Sequence, residues 1–152
     1  SFISPNQGER ENMVKRKLNP IKKTIQGKKI AVVDDSIVRG TTSKRIVQTL
    51  REAGAKEIYF ISAAPPVISP CIYGIDMSVK TELIAAQKSI QGIKEYIEAD
   101  ELIYLPIEDL RSIFSQMEMP ICMACLDGFY PTEGAAEALR KIEQERLDSG
   151  GR

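Results

Sequence analysis

The chain contains no histidine and no tryptophan. Without histidine, the commonest general base and metal ligand is missing, so any chemistry must rest on carboxylates, lysine, cysteine, backbone amides or a bound metal. No apolar run approaches the roughly 20 residues of a membrane-spanning helix, and no secretory signal opens the sequence. Net charge is lacking too. Twenty-one basic residues balance twenty-one acidic ones, which argues against a nucleic-acid binder that relies on overall charge. The three cysteines are an odd number and do not suit a secreted disulfide framework. A cytoplasmic protein, bound neither to membrane nor to nucleic acid, is the expectation. At 152 residues, with 43% hydrophobic and 28% charged residues, the chain is long enough for one domain with a real core.

The first nineteen residues show no strong periodicity. They hold Pro5 to Gly8 and then the basic cluster Lys15-Arg16-Lys17, and read as the end of a mobile loop. Lys29 to Val33 is a short apolar run that ends at two aspartates, as a buried parallel strand would. A helix is predicted from a cap at Thr42 or Ser43 through Ala53, with Ile46, Val47, Leu50 and Ala53 on one face and Gly54 as its stop. Ile58 to Ile61 reads as a second strand, so these segments form a strand–helix–strand unit with a parallel sheet. Further helical segments are expected near Glu82–Gln87, Ile90–Glu98 and Pro106–Phe114. A short apolar run spans Leu102–Leu105, and an amphipathic helix closes the chain from about Glu133 to Leu147.

In an open parallel sheet, ligands bind beyond the carboxyl ends of the strands. The turn Asp34-Asp35-Ser36-Ile37-Val38-Arg39-Gly40-Thr41-Thr42 occupies such a place. Two adjacent carboxylates can accept hydrogen bonds from vicinal hydroxyls or help hold a hydrated magnesium ion. Gly40 lets backbone approach a ligand, Thr41 and Thr42 add hydroxyls, and amides at a helix start favour a phosphate. The bland alternative is that Asp34 and Asp35 merely fill a turn. Ile37 and Val38 suit a different task, packing the loop against the core.

The cysteines pose a separate question. Cys122-Met123-Ala124-Cys125 is a CxxC pair on a short turn, and Cys71 lies upstream. Buried structural thiols would need no partner. Three thiolates are one short of the usual four for either a zinc site or a [4Fe–4S] cluster.

The eleven-residue string from Val32 to Thr42 resembles the signature for phosphoribosyl pyrophosphate (PRPP) in type I phosphoribosyltransferases. The resemblance extends through Arg16-Lys17-Leu18-Asn19, Ser62-Ala63-Ala64-Pro65-Pro66, Tyr73-Gly74-Ile75-Asp76-Met77 and Glu82-Leu83-Ile84-Ala85-Ala86. In that order and spacing the chain is similar to the C-terminal part of glutamine PRPP amidotransferases (amidophosphoribosyltransferases). The resemblance implies an α/β fold: a partial type I phosphoribosyltransferase fold, with a parallel sheet, flanking helices and a helical C-terminal tail. Residues 1–28 would be a flexible closing loop and lead-in, 29–115 the C-terminal part of the transferase domain, and 116–152 a cysteine-containing segment with the last helix.

The resemblance also implies roles. Asp34 and Asp35 would bind the ribose 2- and 3-hydroxyls and Mg2+, and Ser36, Ile37, Val38, Arg39, Gly40, Thr41 and Thr42 would form the loop around the 5-phosphate. Lys17 would contact pyrophosphate when its loop closes; a solvated basic turn is the plain alternative. Ammonia from glutamine would displace pyrophosphate from PRPP and give 5-phosphoribosylamine, the first step of de novo purine synthesis. Purine nucleotides would inhibit, and the full-length enzyme would be a homo-oligomer. One branch of the family holds a [4Fe–4S] cluster, and Cys71, Cys122 and Cys125 fall at three of its four ligand places, the fourth lying before residue 1.

Members of the family begin with a glutaminase domain whose nucleophile is an N-terminal cysteine. Here Ser1 comes first and no cysteine precedes Cys71. The expectation is a fragment without the glutaminase domain, unable to hydrolyse glutamine and inactive by itself. A salvage phosphoribosyltransferase would share the PRPP loop but not the cysteine positions. A PRPP-sensing regulator would be expected to add a nucleic-acid-binding module.

Overall fold

The computed structural model describes residues 19–75, 79–118 and 120–148. Lys17 and its basic neighbours, and Asp76 and Met77 of the Tyr-Gly-Ile-Asp-Met run, lie outside the described residues.

A single helical turn, α1 (Lys22–Ile25), leads into strand β1 (Lys29–Asp34). Helix α2 (Thr41–Glu52) follows, then β2 (Glu57–Ser62). A 3-10 turn (Lys80–Glu82) and the short α3 (Ile84–Gln87) come next, followed by α4 (Ile90–Ile97) and β3 (Glu101–Tyr104). The chain ends in α5 (Ile107–Gln116), α6 (Ala124–Asp127) and α7 (Ala135–Asp148). The strands form a parallel sheet in the order β1-β2-β3. This is the α/β architecture expected from the alternation of apolar runs and helical periodicity.

The pairing places Ile30, Val32 and Asp34 beside Ile58, Phe60 and Ser62, and Phe60 and Ser62 beside Leu102 and Tyr104. This face of the sheet is the core side. Ile58 and Phe60 are fully buried there, together with Val47 of α2 and Ile93 and Ile97 of α4. The opposite face carries Val33, 69% exposed, and Ile103, 47% exposed. Parallel sheets ordinarily bury both faces, so half of this one stands apolar and uncovered by the described residues.

An ion-pair and hydrogen-bond clamp fixes the far ends of the strands. Asp100, just before β3, accepts from the Ile58 amide at 2.6 Å and from Arg51 Nη2 at 2.7 Å. Arg51 also donates to the carbonyl of Lys56, joining the end of α2 to the start of β2. Burial pushes the Asp100 carboxyl upward, but the Ile58 amide and Arg51 outweigh it and hold its pKa below the ordinary carboxylate value.

Two local expectations need correcting. Helix α2 begins at Thr41, and its N-cap is Gly40 in the left-handed conformation (φ 77°), with no side-chain cap bond. Thr42 and Ser43 therefore lie inside the first turn instead of capping it. The segment after Met123, read as a turn, closes one helical turn as α6, because the Leu126 and Asp127 amides both bond to the Met123 carbonyl.

Candidate functional site

The three parallel strands end together, and Asp34, Ser62 and Tyr104 stand side by side in the last paired row. The chain leaves β1 at Asp34, whose carbonyl still accepts from the Ala63 amide at 2.9 Å. Asp34 Oδ1 accepts from the Asp35 amide at 3.1 Å, and Asp35 Oδ1 accepts from the Ser36 hydroxyl at 3.1 Å. Partial burial raises the Asp34 pKa above its ordinary value. The Asp35 amide opposes that rise, and the Asp35 charge adds to it. A vicinal diol or a cation at this corner would supply the compensation that two adjacent carboxylates lack.

The loop beyond them is anchored from behind. Ile37 is 1% exposed and belongs to the core cluster. The Val38 carbonyl accepts from the Ile84 amide at 3.0 Å, and Arg39 Nε donates to Glu82 Oε2 at 2.7 Å. Gly40 is buried, and a Cβ added there would stand 2.8 Å from Ile84 Cδ1 and 3.1 Å from the Tyr96 ring. Only glycine meets both the left-handed backbone and this close approach.

Helix α2 then starts without a side-chain cap, and the Lys44 amide is the first to bond back, to the Gly40 carbonyl at 2.9 Å. An uncapped helix start beside a pair of hydroxylated residues, Thr41 and Thr42, is suited to an anion. Asp34 through Thr42 thus share one corner, with carboxylates on one side and helix amides on the other. Sequence reading missed the rear wall, Glu82, Ile84 and Tyr96. Its only signal was the Glu82–Ala86 string, which has no chemistry of its own.

The segments that carry Cys71 and Cys125 are joined through the backbone. The Cys125 carbonyl accepts from the Ile68 and Ser69 amides at 2.9 and 3.1 Å, which draws the segment around Cys71 against α6. Tyr130 donates its hydroxyl to the Pro70 carbonyl, and Tyr73 bonds Thr132 at 2.9 Å. The Cys71 sulfur accepts from the Tyr73 amide at 3.4 Å. Burial raises the Cys125 thiol pKa, and Cys71 and Cys122 add to the rise. None is in a disulfide. Thiol chemistry and an N–H donor to sulfur suit an iron–sulfur group. The set is still one short of four, and among the described residues no three His, Cys, Asp or Glu side chains are grouped to hold a metal ion.

A strand-end carboxylate pair, a core-anchored loop and an uncapped helix start thus lie at the carboxyl end of a parallel α/β sheet, the place where such sheets bind ligands. Comparison with known proteins makes the relationship more specific. No family model matches the chain. Amidophosphoribosyltransferase of Methanocaldococcus jannaschii is 49% identical over 133 residues, 88% of this chain and 28% of that protein. The chloroplastic amidophosphoribosyltransferase of Glycine max is 44% identical over 142 residues, 93% of this chain and 25% of that one. The structure of glutamine PRPP amidotransferase from B. subtilis, complexed with ADP and GMP, superposes with a TM-score of 0.69 at 41% identity. It covers 87% of this chain and 30% of the other. Over most of its residues, then, the chain is homologous to a part of amidophosphoribosyltransferase, and it spans little more than a quarter of the length of those relatives.

Proposed function

We propose that this chain is the ribose-phosphate-binding part of an amidophosphoribosyltransferase. The reaction joins ammonia derived from glutamine to PRPP and releases 5-phosphoribosylamine and pyrophosphate. The observation that carries the reading is the Asp34–Thr42 corner, where paired carboxylates face an uncapped helix start across a loop fixed by Ile37, Val38 and Arg39.

In this reading Asp34 and Asp35 accept hydrogen bonds from the ribose 2- and 3-hydroxyls. The amides of 36–42 and the hydroxyls of Ser36, Thr41 and Thr42 surround the 5-phosphate. Ammonia attacks the anomeric carbon while the bond to pyrophosphate breaks, and the leaving group takes the electron pair. Such a displacement passes through an oxocarbenium-like state, so holding the ribose and neutralising the leaving group matter more than a strong base. Lys17, by its place in the Lys-Leu-Asn segment, is assigned to the pyrophosphate.

Mg2+ fits the chemistry of the site, because it binds through one or two carboxylates plus substrate phosphates. Asp34 and Asp35 would be its protein contacts, and it would neutralise phosphate charge. Cys71, Cys122 and Cys125 are assigned to a [4Fe–4S] cluster whose fourth thiolate comes from outside this chain. The bonds from the Ile68 and Ser69 amides to the Cys125 carbonyl, which tie the chain just before Cys71 to the CxxC pair, support that assignment, and no step of the reaction passes through the cluster. Purine nucleotides, which carry a ribose 5-phosphate, are expected as inhibitors at the same corner; ADP and GMP accompany the B. subtilis relative. A cytoplasmic homo-oligomer is the proposed setting of the full-length protein. No helix among the described residues is long and apolar enough to cross a membrane.

Calorimetric titration of PRPP with magnesium into the chain and into Asp34→Asn tests the reading. Magnesium-dependent binding to the first and its loss in the second are expected. Equal binding by both would remove the site assignment.

A further inference from the structure

Three consecutive loop residues, Ile37, Val38 and Arg39, are each tied to the rear wall by a different kind of contact. Ile37 is 1% exposed in the core, Val38 accepts a backbone hydrogen bond from Ile84 at 3.0 Å, and Arg39 pairs with Glu82 at 2.7 Å. Glu82 and Ile84 lie within three residues of each other, where the 3-10 turn passes into α3. Ile84 Cδ1 also closes the space behind Gly40. The two polar ties and this contact therefore pull the loop toward one short segment, 43 or more residues away in sequence. Arg39, a residue whose type alone suggests a phosphate ligand, here directs its Nε to a carboxylate instead.

We propose that Glu82 is a positioning residue for the ribose-phosphate loop: through Arg39 it holds the loop in the shape that presents its amides to the phosphate. This inference rests on the reading of the corner as a ribose-phosphate site. It assigns a role to the Glu82–Ala86 string that the reaction itself does not use. Without the pair, the loop keeps the Ile37 and Val38 ties but loses the one farthest from β1, next to the helix start. The Arg39 and Glu82 side chains are 34% and 42% exposed, so the pair contributes at the level of a surface ion pair, and its loss is graded.

Two measurements on the full chain test this. Titration with ribose 5-phosphate and magnesium is expected to show Glu82→Gln binding about two- to five-fold weaker than the parent, the range a surface pair supplies. Amide hydrogen exchange without ligand is expected to quicken by a similar factor at Arg39 and Gly40, with the melting temperature lowered by no more than about 4 °C. In an Arg39→Gln background, Glu82→Gln is expected to change neither quantity further. Unchanged loop exchange in Glu82→Gln would overturn the proposal, as would faster exchange with unaltered affinity. If the parent chain fails to bind ribose 5-phosphate while Glu82→Gln still quickens loop exchange, the tether stands and the ligand reading of the corner falls.

Discussion

Replacing Gly40 with alanine should reveal how tightly the loop is held. Two separate costs arise. An L-residue at φ 77° costs about 1–2 kcal/mol against glycine. The new methyl would lie 2.8 Å from Ile84 Cδ1 and 3.1 Å from Tyr96 Cε1, and crowding of that degree costs about 1–3 kcal/mol. Together they give a loss of about 2–5 kcal/mol, large against the roughly 5–15 kcal/mol of a typical domain. Urea unfolding followed by circular dichroism measures it.

The two costs can be separated, because the nearest contact is a single methyl group. Ile84→Val removes Cδ1 and by itself should cost about 0.5–1.5 kcal/mol. In the Gly40→Ala background it should cost at least about 1 kcal/mol less, or become stabilising, since it relieves the closest contact and leaves the backbone term and the Tyr96 contact. Strict additivity of the two changes, or a Gly40→Ala loss below about 0.5 kcal/mol, would refute the left-handed, close-packed geometry assigned to the loop.

Asp34→Asn should weaken magnesium-dependent PRPP binding about 10- to 100-fold, as loss of a charged hydrogen-bonding group at the ribose does. The same change should slightly stabilise the ligand-free chain at neutral pH, by no more than about 1 kcal/mol given partial solvent access. The folded-state pKa of Asp34 is raised by burial, so the penalty on its charged form is absent in acid and grows as pH rises through that value. The advantage of the Asp34→Asn variant should therefore appear in thermal melts only as pH increases, and a pH-independent difference would count against it. Asp100→Ala should cost about 1–2 kcal/mol, chiefly through the Ile58 amide left unbonded. The folded pKa of Asp100 lies below its ordinary value, so its contribution is full above the unfolded pKa and fades as pH falls through the folded one. Tyr104 has a buried hydroxyl with no hydrogen-bond partner among the described residues, and burial pushes its pKa up to about 12. Tyr104→Phe should leave stability unchanged or raise it by up to about 1 kcal/mol; a comparable loss in urea unfolding would show that the hydroxyl is bonded after all.

The strands and α2 were legible because their burial follows simple periods. Alternating burial runs along β2, and Ile46, Val47 and Leu50 of α2 face the core at three- and four-residue spacing. Gly54 stops that helix at φ 94°, as its position after Ala53 suggests. The cap was misplaced because Thr and Ser are the usual caps, whereas here a close approach by Ile84 and Tyr96 selects glycine. That contact spans more than forty residues and leaves no local trace. The carboxylate pair and the loop could be seen in the sequence because their chemistry is local. Glu82 could not, since a lone glutamate in a polar turn looks like any solvated one until Arg39 is found 2.7 Å away. The joining of the Cys71 segment to the CxxC pair likewise depends on tertiary contacts, the Cys125 carbonyl to the Ile68 and Ser69 amides.

The central claim is that Asp34 to Thr42 binds a ribose 5-phosphate. Amide chemical shifts followed by NMR during titration with ribose 5-phosphate and magnesium test it most directly. The expected result is a set of saturable shifts concentrated at Asp34–Thr42 and the start of α2, abolished in Asp35→Asn. Shifts centred elsewhere on the chain, or the same pattern in Asp35→Asn, would contradict the claim.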